Sequence, residues 1–194
     1  MLIYAQLLGS SGVERGLIGP AETARLWERH LLNCGVVAEL VPTTSDELVD
    51  LGSGAGLPGL VLAILLPEVR VVLVEPMERR TAFLMECVAE LGLGNVEVLR
   101  ARAEELAGQI QADVVTARAV ASLDRLAVLA SGLARPGGLV LAIKGATAGE
   151  ELARARPVLR KLGATGAEVV SAGADLLETP TTVVLFRTAH PSPA

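Results

Sequence analysis

The chain has 194 residues and suits one α/β domain with a sizeable core; hydrophobic residues make up 51% and aromatics only 2%, so that core must be built from Leu, Val and Ala. So few aromatics leave little scope for stacking platforms. A net charge of −5 excludes wholesale electrostatic binding to nucleic acid, and any RNA contact has to use a local patch.

Residues 1–40 read as a helical lead. Ile3, Leu7 and Leu8 form one face, Gly16 to Pro20 breaks the pattern, and 21–32 resumes it with Leu26, Trp27, His30 and Leu31. The lone Trp is expected to pack against the sheet layer. Arg25, Arg29 and His30 are basic neighbours, which suits either a solvated face or a substrate contact. The main domain is expected over 41–188, and a disordered tail without pattern over 189–194. After a turn at 42–46 come a strand over 48–51, a helix over 57–66 and a strand over 69–75 whose near-continuous apolar run suits a parallel strand buried on both faces. A helix over 77–91 is stopped by Gly92 and Gly94. After strand 95–99, residues 101–105 lead into a short helix, and strand 112–116 then delivers Arg118. Helix 122–133 is followed by a Pro136-Gly137-Gly138 turn into strand 139–143, which presents Lys144. The chain closes with helix 150–162 and two strands, 168–171 and 181–186, with no helix between them.

Strands alternating with helices predict a parallel sheet covered on both faces, finished by an antiparallel pair. Ligands of such sheets bind outside the carboxyl ends of the strands. Cys34 and Cys87 lie far apart, with no C-x-x-C and no neighbouring His, so two reduced, buried thiols in a cytoplasmic protein are expected and no metal site. The opening MLIYAQLL is too short and uncharged for a signal peptide, and no segment reads as a membrane span.

The chemistry concentrates in VDLGSGAGLPG, from Val49 to Gly59. A strand carrying Asp50 meets Gly52, Gly54 and Gly56 and then a helical pattern. Such a turn lets a ligand approach the backbone and aims N–H groups at acceptor atoms. Counting from Gly52, the sixth position is Leu57, which breaks the dinucleotide fingerprint, and no phosphate-loop Lys is present. Asp50 suits a ligand with a cationic end, and Glu75, closing the next strand, suits ribose hydroxyls. Together they favour S-adenosylmethionine over a dinucleotide. Ala103, Glu104, Arg118 and Lys144 fall at further strand ends.

With VEPMERRTAFL, RAEEL, TARAVASL, LAIKG and RHLL, the glycine loop resembles the ribosomal small-subunit RNA methyltransferases of the G type, also called glucose-inhibited division protein B. The resemblance implies a class I, Rossmann-like methyltransferase fold with a seven-stranded sheet. It also implies S-adenosyl-L-methionine as donor and methylation of guanine N7 at one guanosine in the decoding-region loop of 16S rRNA. Cofactor positions carry over onto Gly52, Leu57, Ala103, Glu104 and Arg118. The chain begins later than members of that family, and Gly16 to Pro20 stands where they have a polar Asn-Leu-Thr segment, so part of an RNA-facing lead is expected to lie outside it.

Guanine N7 bears a lone pair and no proton, so its attack on a methyl group requires no general base, and the only histidines are His30 and His190. Arg118 and Lys144 are expected to orient the base, Lys144 as a compact, mobile ammonium, with Arg29, His30 and Lys144 facing RNA. A strand-end salt bridge to Glu104 or Glu105 is the other role open to Arg118. A small-molecule methyltransferase and a non-catalytic ribosome-assembly module are the competing functional readings. A monomer working on the small subunit or its precursor is the expected assembly.

Overall fold

The computed structural model describes residues 1–189, so the expected tail lies, from position 190 and including His190, outside the described residues. Seven strands form one sheet in the order β3-β2-β1-β4-β5-β7-β6. They are β1 (Glu47–Leu51), β2 (Arg70–Val74), β3 (Val96–Leu99), β4 (Ala112–Arg118), β5 (Ala134–Lys144), β6 (Thr165–Ala172) and β7 (Thr181–Arg187). The pairs among β1 to β5 are parallel, while β7 runs antiparallel between β5 and β6, as the missing crossover helix predicts. The strand order reverses between β1 and β4, which opens a crevice above their carboxyl ends.

β5 starts earlier than expected. Ala112 pairs with Ala134, and the register then shifts so that Val114 faces Leu139; the Pro-Gly-Gly segment is therefore an irregularity inside the strand and not a turn before it.

The helices are α1 (Leu2–Leu7), α2 (Asn33–Gly35), α3 (Gly59–Leu65), α4 (Glu78–Leu91), α5 (Ala103–Leu106), α6 (Leu123–Leu133) and α7 (Ala148–Lys161). α4 ends on Gly92 at φ 62°, a left-handed cap that a side chain would strain. The lead breaks ahead of Pro20, as its pattern suggests, but the helical stretches on either side are not uniformly α-helical. Wide π-type turns cover Leu8–Gly12 and Trp27–Leu32, and tight 3-10 turns cover Pro20–Arg25 and Val36–Leu40. Tyr4 and Leu8, four residues apart, take the inward face while Ile3 is half exposed. Trp27, expected against the sheet, is 41% exposed, because Leu26 and Leu31 take the inward positions on either side of it.

Alternation along each strand sends side chains to two core layers. On one face Leu48, Val114 and Leu141 pack with α3, with Phe83 and Leu84 of α4, and with the lead's Tyr4, Leu8, Leu31 and Cys34. On the other, Val49, Val115 and Val140 pack with Leu126 and Ala130 of α6 and with Leu152 and Leu159 of α7. The same alternation puts Asp50, Thr116 and Arg118 on the lead's face and Lys144 on the face of α7.

Candidate active site

The loop after β1 is hooked over β2. The amides of Gly52 and Ser53 both donate to the Val74 carbonyl, at 2.8 and 3.1 Å. Gly52, Gly54 and Gly56 have φ of 72°, 58° and 94°, which only glycine adopts without strain. A Cβ at Gly54 would meet nothing closer than 3.8 Å, so the loop presents an open face there. At Gly56 a Cβ would lie 2.9 Å from the Tyr4 hydroxyl, which donates to the Ala55 carbonyl at 2.7 Å. The lead is thus tied directly to the glycine loop.

Glu75, expected to meet ribose hydroxyls, is 1% exposed. Its Oε2 accepts from the Gly54 amide at 3.0 Å and its Oε1 from the Met77 amide at 2.9 Å, with Arg80 Nη1 at 3.5 Å. It splints the glycine loop to the start of α4 and keeps lone pairs for a ligand hydroxyl.

Asp50 requires a correction. It was expected to meet the cationic end of the cofactor, but its side chain points down the lead's face of the sheet into the core. Oδ2 accepts from the Gly59 amide at the start of α3 at 3.0 Å, and Oδ1 from the Thr116 hydroxyl at 3.2 Å. A Cβ at Gly59 would come within 2.5 Å of Oδ2, so the glycine is what lets strand and helix approach. Burial pushes the Asp50 carboxyl up to about 6, and these hydrogen bonds restrain it from rising further. Asp50 caps a helix from beneath the site, and the two-residue spacing to Gly52 could not distinguish that role from ligand contact.

Two cavities meet at Gly52. One, of about 310 Å³, is lined by His30, Gly52, Gly54, Leu57, Arg80 and Arg118; the other, of about 190 Å³, by Gly52, Pro76, Arg102, Ala103, Glu104 and Val120. Val120 sits on Gly52, where a Cβ would lie 2.7 Å from its Cγ2, and separates the two. Ala119 before it has φ 54°, the one positive value among the described non-glycine residues. Together the cavities reach the size of a small-molecule site. Glycine backbone at the centre, apolar Leu57 and Ala103, and the Glu104 carboxylate fit S-adenosylmethionine, a cationic, ribose-bearing ligand, with Glu75 buried behind the loop and holding its Gly54 amide. Gly52, Leu57, Ala103, Glu104 and Arg118 all line this trough. Gly56 acts through the loop's shape, and Asp50 does not reach it.

Arg118, at the end of β4, turns to the lead. Its guanidinium hydrogen-bonds His30 Nδ1, and Nη1 donates to Cys34 Sγ at 3.2 Å. His30 Nε2 lies 3.0 Å from Glu22 Oε2, and Arg29 pairs with the other Glu22 oxygen at 3.1 Å. Because Arg118 can only donate, Nδ1 must accept, which fixes a neutral imidazole with its proton on Nε2 toward Glu22. Burial, then the Arg118 charge, hold the His30 pKa below its ordinary value. The alternative open to Arg118, a salt bridge to Glu104 or Glu105, is not formed: Glu104 lies 3.8 Å from Arg125, and Glu105 accepts from the Arg102 amide. His30 and Arg29, read as RNA-facing, are held by Glu22, His30 inside the trough and Arg29 at the surface.

Lys144 is a held ammonium and not a mobile one. Its Nζ lies 2.9 Å from Glu151 Oε2 and donates to the Ala121 carbonyl at 3.1 Å, and its side chain is 10% exposed. Arg118 and Lys144 therefore leave the sheet on opposite faces yet both line a cavity of about 580 Å³ with Ala121, Ser122, Ile143 and Glu151. Sequence reasoning missed Tyr4, Glu22 and Glu151. Tyr4 is the chain's only Tyr, whereas Glu22 and Glu151 carried no local signal among 22 acidic residues.

A seven-stranded sheet with an antiparallel β7, a glycine loop after β1 and an acid after β2 define a class I S-adenosylmethionine-dependent methyltransferase. Solved structures share this fold. A SAM-dependent O-methyltransferase from Thermotoga maritima superposes with a TM-score of 0.68 at 13% identity, over 89% of this chain and 72% of that one. A precorrin-6y C5,15-methyltransferase from Geobacter metallireducens gives 0.59 at 16%, over 89% and 90%. The chain belongs to the rRNA small subunit methyltransferase G family, whose model matches residues 1–178. Two relatives, each named ribosomal RNA small subunit methyltransferase G, are similar along nearly all of it. The one from Nocardioides sp. is 55% identical over 97% of this chain and 75% of its own length, and that from Pseudarthrobacter chlorophenolicus 53% identical over 93% and 83%. The chain is thus an rRNA methyltransferase with S-adenosylmethionine as its cofactor. Among the described residues, no helix is long and apolar enough to cross a membrane.

Proposed function

We propose that this enzyme methylates N7 of one guanosine in the decoding-region loop of 16S rRNA, acting as a cytoplasmic monomer on the small subunit or its assembly precursor. The observation that carries the reading is the state of His30. Its acceptor nitrogen is taken by Arg118 and its other nitrogen faces Glu22, so the imidazole nearest the trough has no lone pair for a substrate proton. His30 is therefore not available as a general base, and guanine N7, which loses no proton on methylation, requires none.

The bound cofactor supplies an electrophilic methyl group on a sulfonium. The protein's part is to hold N7 in line with it, and near-attack alignment is the main source of rate for such a transfer. On this reading Gly52, Gly54, Leu57, Glu75, Ala103 and Glu104 hold the cofactor. Arg118 and Lys144, on the two sides of the mouth, orient the base. Arg29 contributes to a local RNA-facing patch.

Transfer of labelled methyl from S-adenosylmethionine to small subunits lacking the modification tests the proposal. Labelled 7-methylguanosine in 16S rRNA is expected. Label in another position, or binding of S-adenosylhomocysteine with no transfer to subunits or naked rRNA, overturns it.

A further inference from the structure

Glu151 lies in the first turn of α7, and neither its sequence context nor the cofactor trough gives it a role. It faces the cavity of about 580 Å³ beside Lys144. Its Oε2 is 2.9 Å from Lys144 Nζ, and its Oε1 accepts from the Thr147 hydroxyl at 3.2 Å. The ammonium is fixed from the other side by the Ala121 carbonyl, so donor and acceptor hold constant positions at the mouth. The pair shows a ligand a cationic donor immediately next to an anionic acceptor.

We propose that Glu151 and Lys144 together read the target base, Lys144 donating to guanine O6 and the Glu151 carboxylate accepting from N1–H and the 2-amino group. The inference rests on guanine N7 being the methyl acceptor. Guanine carries an acceptor, O6, directly beside a donor, N1–H, which matches the pair in polarity. Adenine carries the reverse, an amino donor beside the N1 acceptor, and would set donor against ammonium and acceptor against carboxylate. A site with committed polar groups rejects the wrong partner strongly, because those groups are left unpaired. A carboxylate has about four lone-pair positions, so the Lys144 and Thr147 contacts leave room for two base donors.

Charge balance supports the same assignment. Methylation makes the guanine ring cationic, and an unpaired lysine at O6 would oppose that charge. Paired with Glu151, the orienting lysine adds no net charge where the positive charge develops. Arg118 approaches from the opposite face of the sheet, so its part in orienting the base is separate from these contacts to the O6, N1 and 2-amino edge.

The test uses small subunits reconstituted with 16S rRNA carrying either guanosine or inosine at the mapped target. Inosine keeps O6, N1–H and N7 and lacks only the 2-amino group. Wild-type enzyme is expected to favour guanosine over inosine about tenfold in kcat/KM, the loss of one hydrogen bond to a charged acceptor. Glu151→Ala should lower turnover on guanosine subunits and abolish that preference, and Glu151→Gln should keep part of it, with S-adenosylhomocysteine affinity unchanged in both. Should Glu151→Ala turn over too slowly, equilibrium binding of the two subunit types to the S-adenosylhomocysteine complex gives the same ratio. A wild-type enzyme indifferent to inosine, or a preference that survives Glu151→Ala, overturns the inference and leaves Glu151 as a clamp on Lys144. Failure of wild-type enzyme to methylate guanosine subunits would instead overturn the guanine reading beneath it.

Discussion

Replacing Asp50 by Asn tests the helix-capping role assigned to this carboxylate. The carboxyl titrates at about 6 in the folded chain, raised by burial from an ordinary 3.8. Between those values the folded protein holds a proton that the unfolded chain has released. Stability therefore falls as pH rises through the window, and the deficit is complete above about pH 6. About two pH units correspond to roughly 3 kcal/mol as an upper figure, at about 1.4 kcal/mol per unit. Asn preserves both contacts: its carbonyl accepts from the Gly59 amide, and its amide donates to the Thr116 hydroxyl, which can turn toward the Val49 carbonyl at 3.5 Å. The variant should match wild type near pH 4 and be more stable by about 1–3 kcal/mol at pH 7.5. Urea unfolding of both proteins, followed by circular dichroism from pH 4 to 8, gives the difference free of contributions from other groups. A difference that does not change with pH, or an Asn variant less stable at pH 7.5, would refute the assignment of a buried, ionised cap.

Glu75→Ala removes the splint between Gly54 and Met77 as well as a ribose acceptor, and should weaken S-adenosylhomocysteine binding by about 1–3 kcal/mol in calorimetry; unchanged affinity would place the ribose elsewhere. In Gly54→Val the added Cβ meets nothing closer than 3.8 Å but the residue must adopt a left-handed φ, so the fold should survive with about 1–2 kcal/mol less stability while the cofactor cradle fills. Retained binding would show the open face to be unused. Lys144→Ala should leave S-adenosylhomocysteine affinity within about threefold and lower methylation of unmodified subunits about a hundredfold; wild-type turnover would remove Lys144 from the site. His30→Gln can accept from Arg118 and donate to Glu22 without titrating. It should keep activity and lose any decline that wild type shows as pH falls below 6.5, where protonation of Nδ1 would eject Arg118. An identical acid limb in both proteins would assign it to another group.

The parallel core was legible because its strands are runs such as VRVVLV, whose burial on both faces leaves no alternative, and because glycines mark the ends of the loop after β1 and of α4. The lead was not. Its periodicity fits an α-helix, but contacts with Phe83, Cys87 and the glycine loop set a mixture of wide and tight turns, and tertiary packing overrode local pattern. Residues at strand ends were found by position alone, and position does not reveal direction. Asp50 and Arg118 share a face and diverge in role, one beneath the sheet's rim and one at its mouth. Glu151 needed the fold to bring α7 against Lys144.

The Tyr4 hydroxyl that holds Ala55 has a thermodynamic consequence. Docking of the first helix and ordering of the glycine loop share that bond, so the two events are linked equilibria. By reciprocity, whatever factor the docked helix adds to cofactor affinity, the bound cofactor adds to docking of the helix. Amide exchange in residues 2–8 thereby becomes a remote reporter of cofactor occupancy.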